Sequence, residues 1–162
     1  MPSHPSPFSP DVERQLLDRL LTVKSWISEF AKVMGKRNPP ELKTWISGHM
    51  YYAPIRNVIK IPSTHLLTLP DNQLRVAVAH EMGHFSRRWP SFFSWTLVRR
   101  LNEEKIADRC SIMLTGATIE DWASSLIAVA LIEDPGYLFE QDLVFQARKY
   151  VLQRWVNLKK AG

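Results

Sequence analysis

His80, Glu81, Met82, Gly83 and His84 spell HEMGH, two histidines four residues apart with a glutamate beside the first. On a helix, positions i and i+4 lie about 40° apart on one face, so both imidazoles can reach one metal ion. Neutral imidazole nitrogens suit zinc, and the adjacent Glu81 can take a proton from a metal-bound water as general base. With five histidines and nine glutamates in the chain, such a match arises by chance in roughly one of every 120 sequences of this composition. The motif therefore needs a third ligand and a helical setting. Twenty residues after His84 comes Glu104-Lys105-Ile106-Ala107-Asp108. Glu104 can complete a His₂Glu zinc site that leaves the fourth position to water. Asp108, one turn on, can accept the outer N–H of a ligating histidine and fix its tautomer.

These residues need helices to carry them. From Asp71, a plausible cap, Leu74, Val78 and Phe85 recur at helical steps as far as Trp89 and Pro90. A second helix over 92–114, closed by Gly116, carries the EKIAD segment. Ser9 before Pro10 starts a helix whose apolar residues, Leu16 to Phe30, continue to Gly35. Thr118 with Asp121 caps another helix reaching about Ile132, and 137–160 fits a last amphipathic helix. Between Glu41 and Pro62 the pattern changes to short strands at 42–46, 50–52 and 57–61, broken by Gly48 and Pro54. The expected fold class is α+β, helix-rich with one small sheet. Residues 1–9 are expected as a flexible tail, and 10–162 as a single domain.

HEMGH, a helical link and EKIAD followed by RCSIMLTG together resemble the HExxH and ExxxD core of the gluzincin zinc peptidases. The likeness is to the CAAX-prenyl-protease and HtpX-like family and its compact minigluzincin relatives. It spans roughly 50–118 and includes the Asn57-Val58-Ile59-Lys60-Ile61 strand and the Leu66-Leu67 turn. The resemblance implies a zincin-like metallopeptidase domain in which His80, His84 and Glu104 bind zinc, Glu81 is the general base and Asp108 orients a ligand. ExxxD spacing and the following Ala107 favour Glu104 over the neighbouring Glu103. Val58, Ile59, Lys60 and Ile61 are expected to pair with an extended peptide if that strand is at an edge; plain sheet structure is the equal alternative. The implied function is zinc-dependent endopeptidase action on a peptide or protein substrate. The repressor-cleaving ImmA/IrrE-like peptidases resemble the same pattern, and a metallopeptidase fold retained only for binding is the reading from another class. Arg109, Tyr137 and Tyr150 are candidates for stabilising an oxyanion, each with structure as the commoner role. A C-terminal segment can block the cleft in minigluzincin-like proenzymes, but the apolar repeat of 137–160 favours ordinary packing.

Composition bounds these readings. At 162 residues and 45% hydrophobic, the chain can bury a core without a structural metal, so a metal site here is expected to serve function. A lone Cys110 excludes an internal disulfide, fits a cytoplasmic compartment and is most simply a small buried apolar residue. The first ten residues carry no charged side chain and lack the pattern of a signal peptide. The longest near-apolar run, Trp122 to Ile132, is about half of the ~20 residues a membrane span needs. The net charge of +5 is spread over short clusters that read as solvated surface, and nucleic acid is not an expected partner. His49 and His65 lie near the strands and are read first as structural, while Trp89 and Trp95 flank the exit of the motif helix.

Overall fold

A computed structural model describes residues 8–89 and 97–133, and its described part is α+β. The chain runs α1 (Pro10–Val33), β1 (Glu41–Trp45), β2 (Tyr51–Ala53), β3 (Val58–Pro62), α2 (Ser63–Thr68), α3 (Asp71–Ser86), α4 (Leu97–Thr115) and α5 (Ile119–Glu133). Most of the tail, the first residues of the expected 92–114 helix, the 137–160 helix, Trp95, Tyr137 and Tyr150 lie outside the described residues.

α1 starts as its sequence demands: the Ser9 side chain accepts from Val12 N–H, and Pro10 sits where its missing donor costs nothing. Val23, Ile27, Phe30 and Ala31 form its buried stripe. It ends where Gly35, at φ 68°, turns the chain so that Lys36 N–H closes on Ala31 C=O at 2.8 Å. Arg19 on the same helix donates to the Leu66 and Leu69 carbonyls and pairs with Asp71, which ties α1 to the start of α3.

The three strands pair in the order β1-β3-β2, with β1 parallel and β2 antiparallel to β3. Each lies within a residue of its expected place. The turn into β3 passes through Asn57 at φ 53°, a left-handed conformation that asparagine tolerates better than most residues. The substrate role of Val58, Ile59, Lys60 and Ile61 required their strand to lie at an edge, and this is corrected in favour of plain sheet structure: β3 is central, and its backbone is hydrogen-bonded on both sides. Its near-continuous run of buried residues is the signature of a strand enclosed by neighbours. Ile59 and Ile61 enter the main core, while Lys60 stacks its ammonium over the rings of Trp45 and Tyr51.

Two further expectations change. Leu66 and Leu67 belong to the short helix α2 rather than to a turn. Asp71 is the first helical residue of α3 and not its cap, since Pro70 holds the cap position without a side-chain bond; Asp71 still favours the positive end of the helix dipole. α3 is buried on nearly every side from Leu74 to Phe85 and packs against α1, β2, α4 and α5. At the other end of the motif region, Gly116 at φ 67° closes α4. Thr118 and Asp121 then form a reciprocal cap for α5, with Asp121 N–H on Thr118 Oγ1 and Thr118 N–H on Asp121 Oδ2, both at 3.1 Å.

The main core joins α1, β3, α2 and α3 through Val23, Ile27, Phe30, Ile59, Ile61, Leu66, Leu74, Val78 and Met82. A smaller cluster under α5 centres on Trp122 and Val76. No helix among the described residues is long and apolar enough to cross a membrane.

Candidate metal centre

HEMGH occupies the last two turns of α3, and EKIAD lies in the middle of α4. What brings the two segments together is Gly83. A Cβ built on it would stand 2.6 Å from Ala107 Cα and 3.0 Å from Ala107 O, so the helices cross in contact at a glycine and an alanine. The crossing point lies between the histidines on one helix and between Glu104 and Asp108 on the other.

The three expected ligands converge there. His80 Nε2 and His84 Nε2 are 3.2 Å apart, His80 Nε2 lies 3.3 Å from Glu104 Oε2, and His84 Nε2 lies 3.4 Å from Glu104 Oε1. All three side chains are partly shielded and their ligating atoms fall within 4.8 Å of one another. Tetrahedral zinc ligands at about 2.0–2.1 Å from the ion are separated by about 3.4 Å, and donors of these types at this spacing could hold a metal ion.

Charge compensates charge within the group. Burial opposes protonation of His80, but hydrogen bonds and charge from Asp108 and Glu104, with Glu81 adding to them, push its pKa up to about 10. Burial likewise opposes ionisation of Glu104, yet the two facing imidazoles hold it well below the usual carboxylate range. On the far side of the ring, His80 Nδ1 faces Asp108 Oδ1 at 2.9 Å, and Asp108 is fully buried. A histidine whose Nδ1–H is taken by a carboxylate presents Nε2 to a metal.

Glu81 is engaged from β2. Its Oε2 accepts the Tyr52 N–H at 2.7 Å, and burial raises its pKa above the ordinary glutamate value. The bond fixes the carboxylate against β2, whose Tyr52 ring in turn meets Phe85 of α3 edge to face at 5.8 Å. A buried carboxyl with a raised pKa is nearer to proton exchange at neutral pH than an exposed one.

The remaining candidates separate. Glu103 is not a member of the group: it is clamped by Arg87, with Nε 2.9 Å from Oε2 and Nη2 3.0 Å from Oε1, beyond the end of α3. Arg109 is exposed on α4. Cys110 is half-buried, its Sγ 4.0 Å from Met34 Sδ, and burial raises its thiol pKa. Trp89 is exposed beneath the Arg88 guanidinium. Val58, Ile59, Lys60 and Ile61 lie in the enclosed strand, and the strand beside Glu81 is β2.

Three contacts had no signal in the sequence. Tyr52 N–H on Glu81 is a backbone donor and so is independent of residue type. Trp122 Nε1, from α5, donates to Asp108 Oδ1 at 3.1 Å. Glu133, the last residue of α5, accepts from Met50 N–H at 2.9 Å and from His49 Nδ1 at 2.8 Å, and lies 3.3 Å from His65 Nε2. His49 and His65 thus share a carboxylate of their own. No protein-family model, curated protein or solved structure gives a significant match to the chain.

Proposed function

We propose that the protein is a zinc-dependent endopeptidase. The observation that supports this reading is the convergence of His80 Nε2 and His84 Nε2, 3.2 Å apart, on Glu104, whose Oε2 lies 3.3 Å from the first and whose Oε1 lies 3.4 Å from the second. Zinc held there would supply Lewis acidity, polarising a peptide carbonyl and acidifying water. Glu81 takes a proton from the attacking water on the oxygen that Tyr52 leaves open, and returns it to the departing amine. Burial of Glu81 suits both halves of that task, because it brings the carboxyl closer to neutrality. Asp108 holds His80 in the tautomer that ligates. The backbone that would receive an extended peptide is the outer edge of β2, since β3 has neighbours on both sides.

The test is metal content by elemental analysis together with cleavage of a mixed peptide library. The expected result is about one zinc per chain, lost in Glu104→Ala, and cleavage that Glu81→Gln removes while keeping the zinc. Zinc absent from the wild type would end this reading.

A further inference from the structure

We infer that Trp122 is a positioning residue for the metal ligand His80, acting through Asp108. The inference rests on the zinc reading above. Asp108 is a fully buried carboxyl group, and such a group requires hydrogen-bond partners. Trp122 Nε1 donates to its Oδ1 at 3.1 Å, and His80 Nδ1 lies 2.9 Å from the same oxygen. The two partners differ in kind. Indole is a neutral donor that cannot accept or ionise. It anchors the carboxyl group at Oδ1 and so fixes the face that Asp108 presents to His80 Nδ1. A lysine or arginine in the same place would compete with the imidazole for that oxygen.

The anchor is rigid because of where the indole sits. Trp122 is fully buried in the cluster formed with Val76 of α3, Ile112 of α4 and Leu126 of α5. α5 thereby reaches Asp108 through the indole, and the cap of Thr118 and Asp121 sets the first turn from which Trp122 projects.

Zinc affinity, measured by competition with a chromophoric chelator, and the visible absorption of the cobalt(II)-substituted protein test this. Trp122→Phe keeps an aromatic ring and removes the N–H; it is expected to weaken zinc binding by about tenfold or more and to alter the cobalt spectrum. Val76→Ala loosens the same cluster but leaves the N–H, and is expected to stay within about twofold of wild type. In an Asp108→Ala background, Trp122→Phe is expected to cost no further affinity, since its route to the metal is gone. Should Trp122→Phe not fold, benzothienylalanine at position 122 removes the donor at constant shape and carries the same expectation. Unchanged affinity in the donor-free variant, an equal loss in Val76→Ala, or an undiminished effect without Asp108 would each overturn the positioning role. A wild-type chain that takes up no zinc would instead overturn the metal reading, and this one with it.

Discussion

Glu103 and Glu104 are neighbours with the same side chain, and one helical step of 100° gives them different work. Glu104 faces two imidazoles, whereas Glu103 is buried beneath Arg87. Alanine at each position should separate the roles. Glu104→Ala is expected to abolish zinc uptake by elemental analysis. Glu103→Ala should retain about one zinc per chain and lose about 1–2 kcal/mol of stability in urea denaturation, because a two-pronged charged bond is removed. Loss of zinc in both variants would mean that the clamp, and not the ligand alone, holds the site.

At the scale of elements, two contacts hold α4 against α3 and α5 against the segment that leads into β2. Gly83→Ala would gain about 1 kcal/mol of helix propensity but drive a methyl into the Ala107 backbone, where overpacking costs about 1–3 kcal/mol. The expected outcome is a lower melting temperature and at least a tenfold weaker zinc affinity, as α4 moves away and takes Glu104 with it. A variant as stable and as zinc-binding as wild type would show that the crossing has slack. The second contact is Glu133, at the end of α5, on His49 and Met50 just before β2, with His65 of α2 beside it. Burial would raise its pKa, but hydrogen bonds from His65, His49 and the Met50 N–H outweigh burial and hold the carboxyl below its ordinary value. A depressed carboxylate pKa stabilises the fold above the unfolded value of about 4.3, and that contribution fades as pH falls through the folded value. Glu133→Gln should therefore be less stable than wild type at pH 7, with the gap narrowing below about pH 4. Urea midpoints at the two ends of this range check the sign.

For the whole molecule, the zinc reading links metal binding to folding, because His80, His84 and Glu104 come from α3 and α4, which meet only in the folded chain. Free zinc at 100 times its dissociation constant stabilises by about 2.7 kcal/mol, which raises the melting temperature of a domain this size by about 5–10 °C. Thermal scans with zinc and with a chelator should show that difference in wild type and not in Glu104→Ala. An equal response in both would place the ion elsewhere.

The division between sequence and tertiary structure follows the range of the forces involved. HEMGH declares its own geometry, because helical spacing is local and puts His80 and His84 on one face. Ser9-Pro10, Thr118 with Asp121, and Gly35 likewise act within a turn of themselves, so the helix ends they mark were legible. The place of Glu104 beside the histidines was legible as a spacing, although their meeting depends on Gly83 and Ala107 making two helices touch. Strand order was not legible: Val58 to Ile61 reads alike at an edge or in the centre until β1 and β2 take its two sides. Nor were the partners of Glu81, Asp108 and Glu133, which come from a backbone N–H on β2, an indole on α5 and two histidines more than sixty residues away along the chain. Such contacts leave no period or local pattern, because it is the packed core that sets the distance between their elements.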